Sequence, residues 1–170
     1  MSQFLRSDLL FNSSFSVKGK CVGKGHPTYI IAEAGVAHFG NEDKAFKLVD
    51  LAVNAGADAV KFQIFDVDAL ISEASADWKD RLRSRQLPYE AFARIKSYAE
   101  KKEITFFATA HDEPSLEYLN SLDVPLYKVG SGDVGNWQFL QRVAHLGKPI
   151  IFSTGMFSQD QVLESLSAIA

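Results

Sequence analysis

The sequence has only one cysteine, no excess of basic residues and no long hydrophobic run. Each of these absences excludes a class of protein. Cys21 alone cannot form an internal disulfide or a cysteine-rich zinc site, so we expect a reducing compartment. A net charge of −3 predicts no binding to nucleic acid or to an anionic membrane surface. No apolar stretch approaches the roughly 18 residues that cross a bilayer, and the N-terminus lacks a signal-peptide pattern. We therefore expect a cytoplasmic protein.

The rest of the composition is that of a globular protein with alternating strands and helices. Of the 170 residues, 46% are hydrophobic, which is enough for a sizeable core. Apolar runs predict strands at residues 29–35, 57–63, 104–109, 126–133 and 149–155. Amphipathic spacing predicts helices at about 41–54, 88–102 and 136–145, and two more that begin near Asp112 and Ser158. The polar segment 1–27 predicts a β-hairpin that turns at Gly19.

Alternating strands and helices indicate a parallel sheet covered by helices, either a doubly wound open sheet or a (β/α)8 barrel. Polar residues lie at the ends of all five predicted strands, whereas a doubly wound sheet gathers its site at one switch point. No Gly-x-Gly-x-x-Gly sequence opens a helix, and there is no Walker-type loop. We therefore predict an α/β fold of the (β/α)8 TIM-barrel type, in which residues 28–170 supply the first five βα units. Because the chain ends inside a predicted helix, we expect it to be the first part of a longer barrel.

The stretch around Lys128 is the most informative part of the sequence, because it places a lysine inside an apolar strand. A buried ammonium needs an anionic partner, either a carboxylate or a ligand. The turn 130–132, Gly-Ser-Gly, follows directly, and Asn136 can cap the next helix at its positive end. This arrangement is typical of half of a phosphate or carboxylate pocket in a parallel βα unit.

Two further charged residues and three hydroxyls also lie at predicted strand ends. Glu33 and Lys61, with Lys128, form either a structural ion-pair network or, since two lysines exceed one acid, an anion site. The hydroxyls that a phosphate or carboxylate ligand also needs are those of Thr109, Ser131 and Ser153. Asp133 is either an acid that precedes the next helix or a residue that handles a proton.

The four histidines and two tryptophans suggest no metal centre and no stacking platform. His26 and His145 are expected at the surface. His38 and His111 lie on loops that follow strands, but no two histidines have ligand spacing on one element. We therefore expect no metal held wholly within this chain. Two residues, Trp78 and Trp137, are expected to pack against the fold.

At these residues the sequence resembles the N-acetylneuraminate (sialic acid) synthase family, with its relatives that make other nonulosonic acids for bacterial surface polysaccharides. Five motifs match in order and spacing: IIAEAGVAH (30–38), GADAVKFQ (56–63), FAT (107–109), YKVGSGD (127–133) and GKPIIFSTGM (147–156). The resemblance implies a (β/α)8 barrel followed by a small antifreeze-like domain, in a homodimer. The remaining barrel units and that domain are absent from the 170 residues.

The resemblance also implies the role of each site residue. Phosphoenolpyruvate would be bound by Lys61, Thr109, Lys128, Ser131 and Ser153. Glu33 and Gln63 would face the sugar, and Asp133 stands where the family commonly has Glu. The catalytic set would be Glu33, Lys61, Lys128 and Asp133. At residues 37–40 the sequence Ala-His-Phe-Gly departs from the commoner Asn-His-Asn-Gly, which concerns the sugar specificity.

The implied reaction condenses phosphoenolpyruvate with an N-acylated hexosamine, such as N-acetylmannosamine, to give a nine-carbon 2-keto acid with release of the phosphate of phosphoenolpyruvate. The implied divalent metal, Mn2+ or Mg2+, has its two histidine ligands beyond the fifth strand. An arginine from the antifreeze-like domain is also absent, so we expect residues 1–170 alone to be inactive. The alternatives are another phosphoenolpyruvate-using aldolase-type barrel with a different acceptor, such as an aldose phosphate, and a non-catalytic half-barrel that binds an anion or a partner chain.

Overall fold

A computed structural model describes residues 12–169, which divide into two compact units. The central unit comprises residues 28–125. The terminal unit combines the described residues up to Pro27 with those from Leu126 onward. The strands are β1 (Ser14–Val17), β2 (Lys20–Gly23), β3 (Ile31–Gly35), β4 (Ala59–Ile64), β5 (Thr105–Ala110), β6 (Tyr127–Val129) and β7 (Ile150–Phe152). The helices are α1 (Glu42–Asn54), α2 (Val67–Leu70), α3 (Ala76–Arg83), α4 (Tyr89–Lys101), α5 (Glu113–Ser121), α6 (Trp137–His145) and α7 (Gln159–Ile169).

The central unit contains three parallel strands in the order β3-β4-β5. Side chains alternate between the two faces of each strand, so Val60 and Phe62 lie on the face opposite Lys61 and Gln63. Both Val60 and Phe62 are fully buried, and every residue of β5 is buried. The strands therefore have the near-continuous apolar character of a parallel sheet that is covered on both faces.

The helices of the central unit begin where the sequence provides caps. The Asn41 side chain accepts a hydrogen bond of 2.9 Å from the Lys44 backbone N–H at the start of α1. The helix ends at Asn54, and Gly56 adopts a φ of +72° just beyond it, as a glycine after a helix C-terminus commonly does. On α4 the spacing of Phe92 and Ile95 predicts one buried face, and both side chains are buried.

The terminal unit begins with the predicted hairpin. Strands β1 and β2 are antiparallel, and Lys18 and Gly19 both have positive φ, as a two-residue turn of this kind requires. Strands β6 and β7 are parallel neighbours, and a 3-10 turn (Ser131–Asp133) joins β6 to α6. Helix α7 starts with a reciprocal cap, in which Ser158 and Gln161 each bond the other's backbone N–H. Residues 1–11 of the predicted N-terminal segment lie outside the described residues, and the predicted domain boundaries stay a prediction.

Three details differ from expectation. The connection between β4 and α4 contains α2, a 3-10 turn (Glu73–Ser75) and α3, which the sequence analysis did not predict. Trp78, expected to pack, is 53% exposed. Asn136 occupies the N-cap position of α6, but its side chain makes no capping hydrogen bond. Within residues 12–169, no helix is long and apolar enough to cross a membrane, and the cytoplasmic location stays a prediction.

Candidate active site

Four of the predicted site residues meet at the carboxyl ends of the central strands. Register partners in a parallel sheet point to the same face, and Glu33 is the partner of Lys61 while Gln63 is the partner of Thr109. Lys61 and Gln63 are two residues apart on β4, so all four side chains lie on one face. The structure therefore brings together the predicted site residues of the central unit.

Lys61 and Glu33 form an ion pair at this edge. The Lys61 side chain is only 10% exposed, whereas that of Glu33 is 53% exposed. Because an unpaired ammonium at this depth costs several kcal/mol, Glu33 stabilises the lysine. This pair is what the alternative of a structural ion-pair network predicted. Because the Glu33 carboxylate is exposed, an anion that arrives from solvent can also reach the Lys61 ammonium.

Gly35 makes room for these polar groups. A Cβ atom at this position would lie 3.1 Å from Glu33 Oε1 and 3.7 Å from Gln63 Nε2. Gly35 also has a φ of +52°, which a side chain tolerates poorly. The strand end therefore holds the Glu33 and Gln63 side chains close to the same backbone position, as a shared role toward one ligand requires.

His38 is buried directly after this strand end. It is 1% exposed, and its Nδ1 accepts a hydrogen bond of 3.1 Å from the Gly40 backbone N–H. Burial lowers the pKa of the His38 imidazole from 6.5 to about 4, so the ring is neutral at physiological pH. Its Nε2 has no hydrogen-bond partner among the described residues. His38 therefore fixes the loop between β3 and α1.

Four more of the predicted site residues lie in the terminal unit, at the ends of β6 and β7: Lys128, Ser131, Asp133 and Ser153. Lys128 is half-buried and donates a hydrogen bond to the Val129 carbonyl, so it is less buried than a lysine inside a fully apolar strand was expected to be. Its ammonium reaches the end of the strand, where the cost of burial is smaller. Ser153 follows β7, and its backbone N–H donates to the Val129 carbonyl at 3.1 Å. The end of β6 thus lies beside the Ser153 backbone.

Asp133 ends the 3-10 turn that follows β6. Burial raises the pKa of its carboxyl above the ordinary value, while a hydrogen bond from the Gly130 backbone and the charge of Lys128 act in the opposite direction. A carboxyl with a raised pKa is suited to proton transfer nearer neutral pH. On the same turn, Ser131 Oγ would lie 4.0 Å from a Cβ atom at Gly155. Ser131 and Asp133 therefore both lie on the turn beyond β6.

The histidines form no recognisable metal centre in the described part of the chain. His26 and His145 are exposed, as expected, and the His111 ring lies 6.5 Å from that of Phe65. Within residues 12–169 there is no group of three or more His, Cys, Asp and Glu side chains placed to hold a metal ion. The predicted divalent metal, with ligands outside this chain, stays a prediction.

Asp112 was not predicted as a functional residue, whereas Phe39 lies in the segment 37–40 that the resemblance connects with the sugar specificity. Asp112 is buried and accepts hydrogen bonds from the backbone N–H groups of Asp66, at 2.7 Å, and Ser115, at 2.8 Å. It thus ties the start of the β4–α4 connection to the first turn of α5. Phe39 is an exposed aromatic residue on the loop after β3. The departure from the commoner Asn-His-Asn-Gly at residues 37–40 is the sequence signal at this position.

A cavity of about 590 Å3 lies elsewhere in the terminal unit, between α6 and α7. Its lining includes Trp137, Leu163 and Glu164. None of the predicted site residues lines it. Since parallel α/β folds place their chemistry at strand ends, the strand-end residues define the candidate site.

Known proteins resemble this chain across nearly its whole length. Spore coat polysaccharide biosynthesis protein SpsE of Bacillus subtilis is 36% identical over 152 residues, which are 84% of this chain and 41% of that protein. The N-acetylneuraminate-9-phosphate synthase of Homo sapiens is 33% identical over 154 residues, 84% of this chain and 43% of that protein. The chain thus spans less than half the length of these curated relatives.

A solved structure gives the same result for the fold. The N-acetylneuraminic acid (sialic acid) synthetase of Leptospira borgpetersenii, in complex with citrate, matches with a TM-score of 0.88 at 29% identity, over 92% of this chain and 54% of that one. This likeness confirms the predicted α/β fold of the (β/α)8 barrel type. The model of the NeuB family matches residues 48–170. The motifs, the fold and this match agree with the resemblance seen in the sequence, and the chain belongs to the NeuB family.

Proposed function

We propose that this chain supplies the phosphoenolpyruvate-binding part of a nonulosonic acid synthase, which condenses phosphoenolpyruvate with an N-acylated hexosamine and releases phosphate. One observation carries the proposal. The nearly buried Lys61 ammonium lies at the carboxyl edge of the central strands beside the exposed Glu33 carboxylate, with Gln63 and Thr109 two residues further along the same face. A nearly buried cation with the neutral donors of Gln63 and Thr109 on the same face suits part of a small, multiply charged anion.

In this proposal the lysine ammonium groups and the hydroxyls stabilise the negative charge of the ligand throughout the reaction. Lys61 and Lys128 bind the phosphate and carboxylate of phosphoenolpyruvate, and the donors that complete this shell are the hydroxyls of Thr109, Ser131 and Ser153. The enol carbon C3 attacks the sugar aldehyde, water adds at C2, and phosphate leaves with cleavage of its C–O bond. Fixed positive charge stabilises the anionic groups without reorganisation at each step.

The remaining residues of the proposed site handle the sugar and a proton. Glu33 and Gln63 face the acceptor, and Asp133 accepts or returns the proton that the addition of water requires. Its raised pKa supports this role. The divalent metal, Mn2+ or Mg2+, would polarise the aldehyde and is proposed to be held by residues outside this chain. The homodimer and the cytoplasmic location are likewise proposals.

The test is phosphate release from phosphoenolpyruvate, measured with N-acetylmannosamine and Mn2+. The protein is produced from the complete reading frame that encodes this chain, and Lys61→Met is compared with Lys47→Met, an exposed lysine on α1. We expect sugar-dependent release and a nine-carbon 2-keto acid by mass spectrometry, lost in Lys61→Met and kept in Lys47→Met. If no product forms, or if Lys61→Met is fully active, the proposal fails. We expect residues 1–170 alone to give no turnover and at most weak phosphoenolpyruvate binding.

A further inference from the structure

The loop between β3 and α1 is held in one conformation by its own backbone. Successive hydrogen bonds of 3.0 Å run from Ala37 N to Ala34 O, from Phe39 N to Val36 O and from Asn41 N to His38 O. In addition, Nδ1 of the buried His38 ring accepts a hydrogen bond from the Gly40 backbone N–H. A loop with this many internal bonds has little freedom, so the direction of each exposed side chain on it is fixed.

Phe39 is an unusual residue for its place on this loop. Its φ is +50°, in the left-handed region that glycine, asparagine and aspartate adopt more readily than a bulky aromatic. The residue is also 56% exposed, so its side chain gains little from burial in the core. Neither local conformation nor packing accounts for a phenylalanine here, and strained exposed positions of this kind cluster at ligand sites.

Two cations lie against the exposed ring. The Lys44 ammonium is 5.7 Å from the ring centroid, and the Arg85 guanidinium carbon is 5.3 Å from it. Among residues 12–169 neither has a carboxylate partner, whereas Arg83, two residues before Arg85, bonds Asp68 at 2.8 Å. The ring holds both cations at cation–π distance while their positive charge stays available to an anion.

The backbone brings these residues together from two separate segments. Lys44 lies in the first turn of α1, and Arg85 follows α3 in the β4–α4 connection. The two segments approach closely at Gly40, where a Cβ atom would lie 2.7 Å from the Ser84 carbonyl oxygen. Both segments follow the carboxyl ends of their strands, β3 and β4, and the first of them begins directly after Glu33 and Gly35. The cation pair therefore lies on the two segments that follow β3 and β4, the strands of Glu33 and Gln63, which the proposed function assigns to the acceptor.

We propose that Phe39, Lys44 and Arg85 form a subsite for an anionic substituent of the acceptor sugar, with a phosphate monoester as the preferred group. The ring supports one face of the sugar, and the planar guanidinium and the ammonium bind the phosphate oxygens. This inference rests on the proposed function and names the acceptor class of that same site. Phe39 is then a specificity-determining residue.

The experiment compares a neutral and a phosphorylated acceptor on the protein from the complete reading frame. N-acetylmannosamine and its 6-phosphate are each assayed for kcat/KM with the Lys44→Gln/Arg85→Gln double variant and with Phe39→Asn. The matched control is Lys47→Gln/Arg81→Gln, which removes the same charge from α1 and from the β4–α4 connection, at exposed positions. We expect kcat/KM for the phosphorylated sugar to fall about tenfold or more in the double variant, with KM for phosphoenolpyruvate unchanged. The control should behave as the wild type.

Phe39→Asn separates a binding role from a structural one. Asparagine suits the left-handed conformation, so this variant should unfold at the same urea concentration as the wild type or a higher one, yet lose its preference for the phosphorylated sugar. Equal preference in wild type, Phe39→Asn and the double variant would overturn the inference, even with the condensation intact.

A direct binding measurement keeps this test independent of the reaction. Calorimetric titration with N-acetylmannosamine 6-phosphate should give tighter binding to the wild type than to the double variant. Equal affinity would overturn the subsite, whether or not the protein makes a 2-keto acid. Tighter binding without any condensation would support the subsite and count against the proposed function alone.

Discussion

Lowering the pH from 7.5 to 5.0 should destabilise the protein through one buried side chain, His38. The ring is 1% exposed and uses Nδ1 to accept the Gly40 N–H, so protonation at Nδ1 would both bury a charge and break that hydrogen bond. Burial accordingly lowers the pKa of His38 to about 4, compared with 6.5 for an unburied imidazole. The unfolded chain therefore takes up this proton at a higher pH than the folded protein.

The size of the effect follows from the two pKa values. Above pH 6.5 the imidazole is neutral in both states, and its contribution is complete; as the pH falls toward 4, only the unfolded state gains the proton and stability is lost. At pH 5.0 the loss in the free energy of unfolding is about 2 kcal/mol. Carboxyl groups whose pKa is lowered by ion pairing, such as Glu42 beside Arg94, lose most of their contribution at lower pH. The pKa of Asp133 is raised, so its contribution has the opposite sign.

Urea denaturation at pH 7.5 and 5.0, followed by circular dichroism, measures this difference. In His38→Asn the amide oxygen can accept the Gly40 N–H in place of Nδ1, but the side chain does not titrate. The wild type should lose about 2 kcal/mol more than His38→Asn between the two pH values. His145→Asn, at an exposed site, should match the wild type. Equal losses in the wild type and His38→Asn would refute the assignment of a buried neutral imidazole.

Three further predictions concern single side chains. Gly40→Ala should lower the free energy of unfolding in urea by more than about 1 kcal/mol, because φ is +69° and the new Cβ would lie 2.7 Å from the Ser84 carbonyl oxygen; an unchanged value would contradict the close approach. Asp112→Ala should cost about 1–3 kcal/mol in the same assay, since two backbone N–H groups lose their acceptor. Asp112→Asn keeps one acceptor and should cost less. Ser131→Ala and Ser153→Ala should each weaken phosphoenolpyruvate binding in calorimetry by about 1–3 kcal/mol, and unchanged affinity in both would remove these hydroxyls from the site.

The sequence predicts the main strands and helices because their signals are local. The apolar run before Gln63 and the capping residues Asn41 and Asp112 act within a few residues, and the structure places the elements within one to four residues of the prediction. The short helices of the β4–α4 connection were not predicted, because ion pairs stabilise them and their sequence has no clear hydrophobic periodicity. Asp68 bonds both Lys79 and Arg83 there, and this lysine is buried. The spacing of apolar residues along the sequence does not predict such contacts.

Among the site residues, too, the sequence predicts what local pattern determines and misses what depends on the folded structure. The sequence correctly places Glu33 and Lys61 at neighbouring strand ends, because parallel strands fix which residues share an edge. It fails on the burial of Lys128, since a hydrogen bond to the adjacent carbonyl depends on the local rotamer. It makes no prediction for the burial of His38, which depends on how a short loop folds over the Phe62 ring, 6.1 Å away.

The most direct test of the account is the affinity for phosphoenolpyruvate of three variants of the protein from the complete reading frame, measured by calorimetry. Lys61→Met and Lys128→Met each remove an ammonium from a proposed contact with the ligand while keeping side chains of similar length, and Lys47→Met removes an exposed one. The account predicts binding about tenfold weaker or more in the first two, with turnover reduced in parallel, and unchanged binding in the third. Wild-type affinity in both Lys61→Met and Lys128→Met would contradict the claim that these strand ends hold phosphoenolpyruvate.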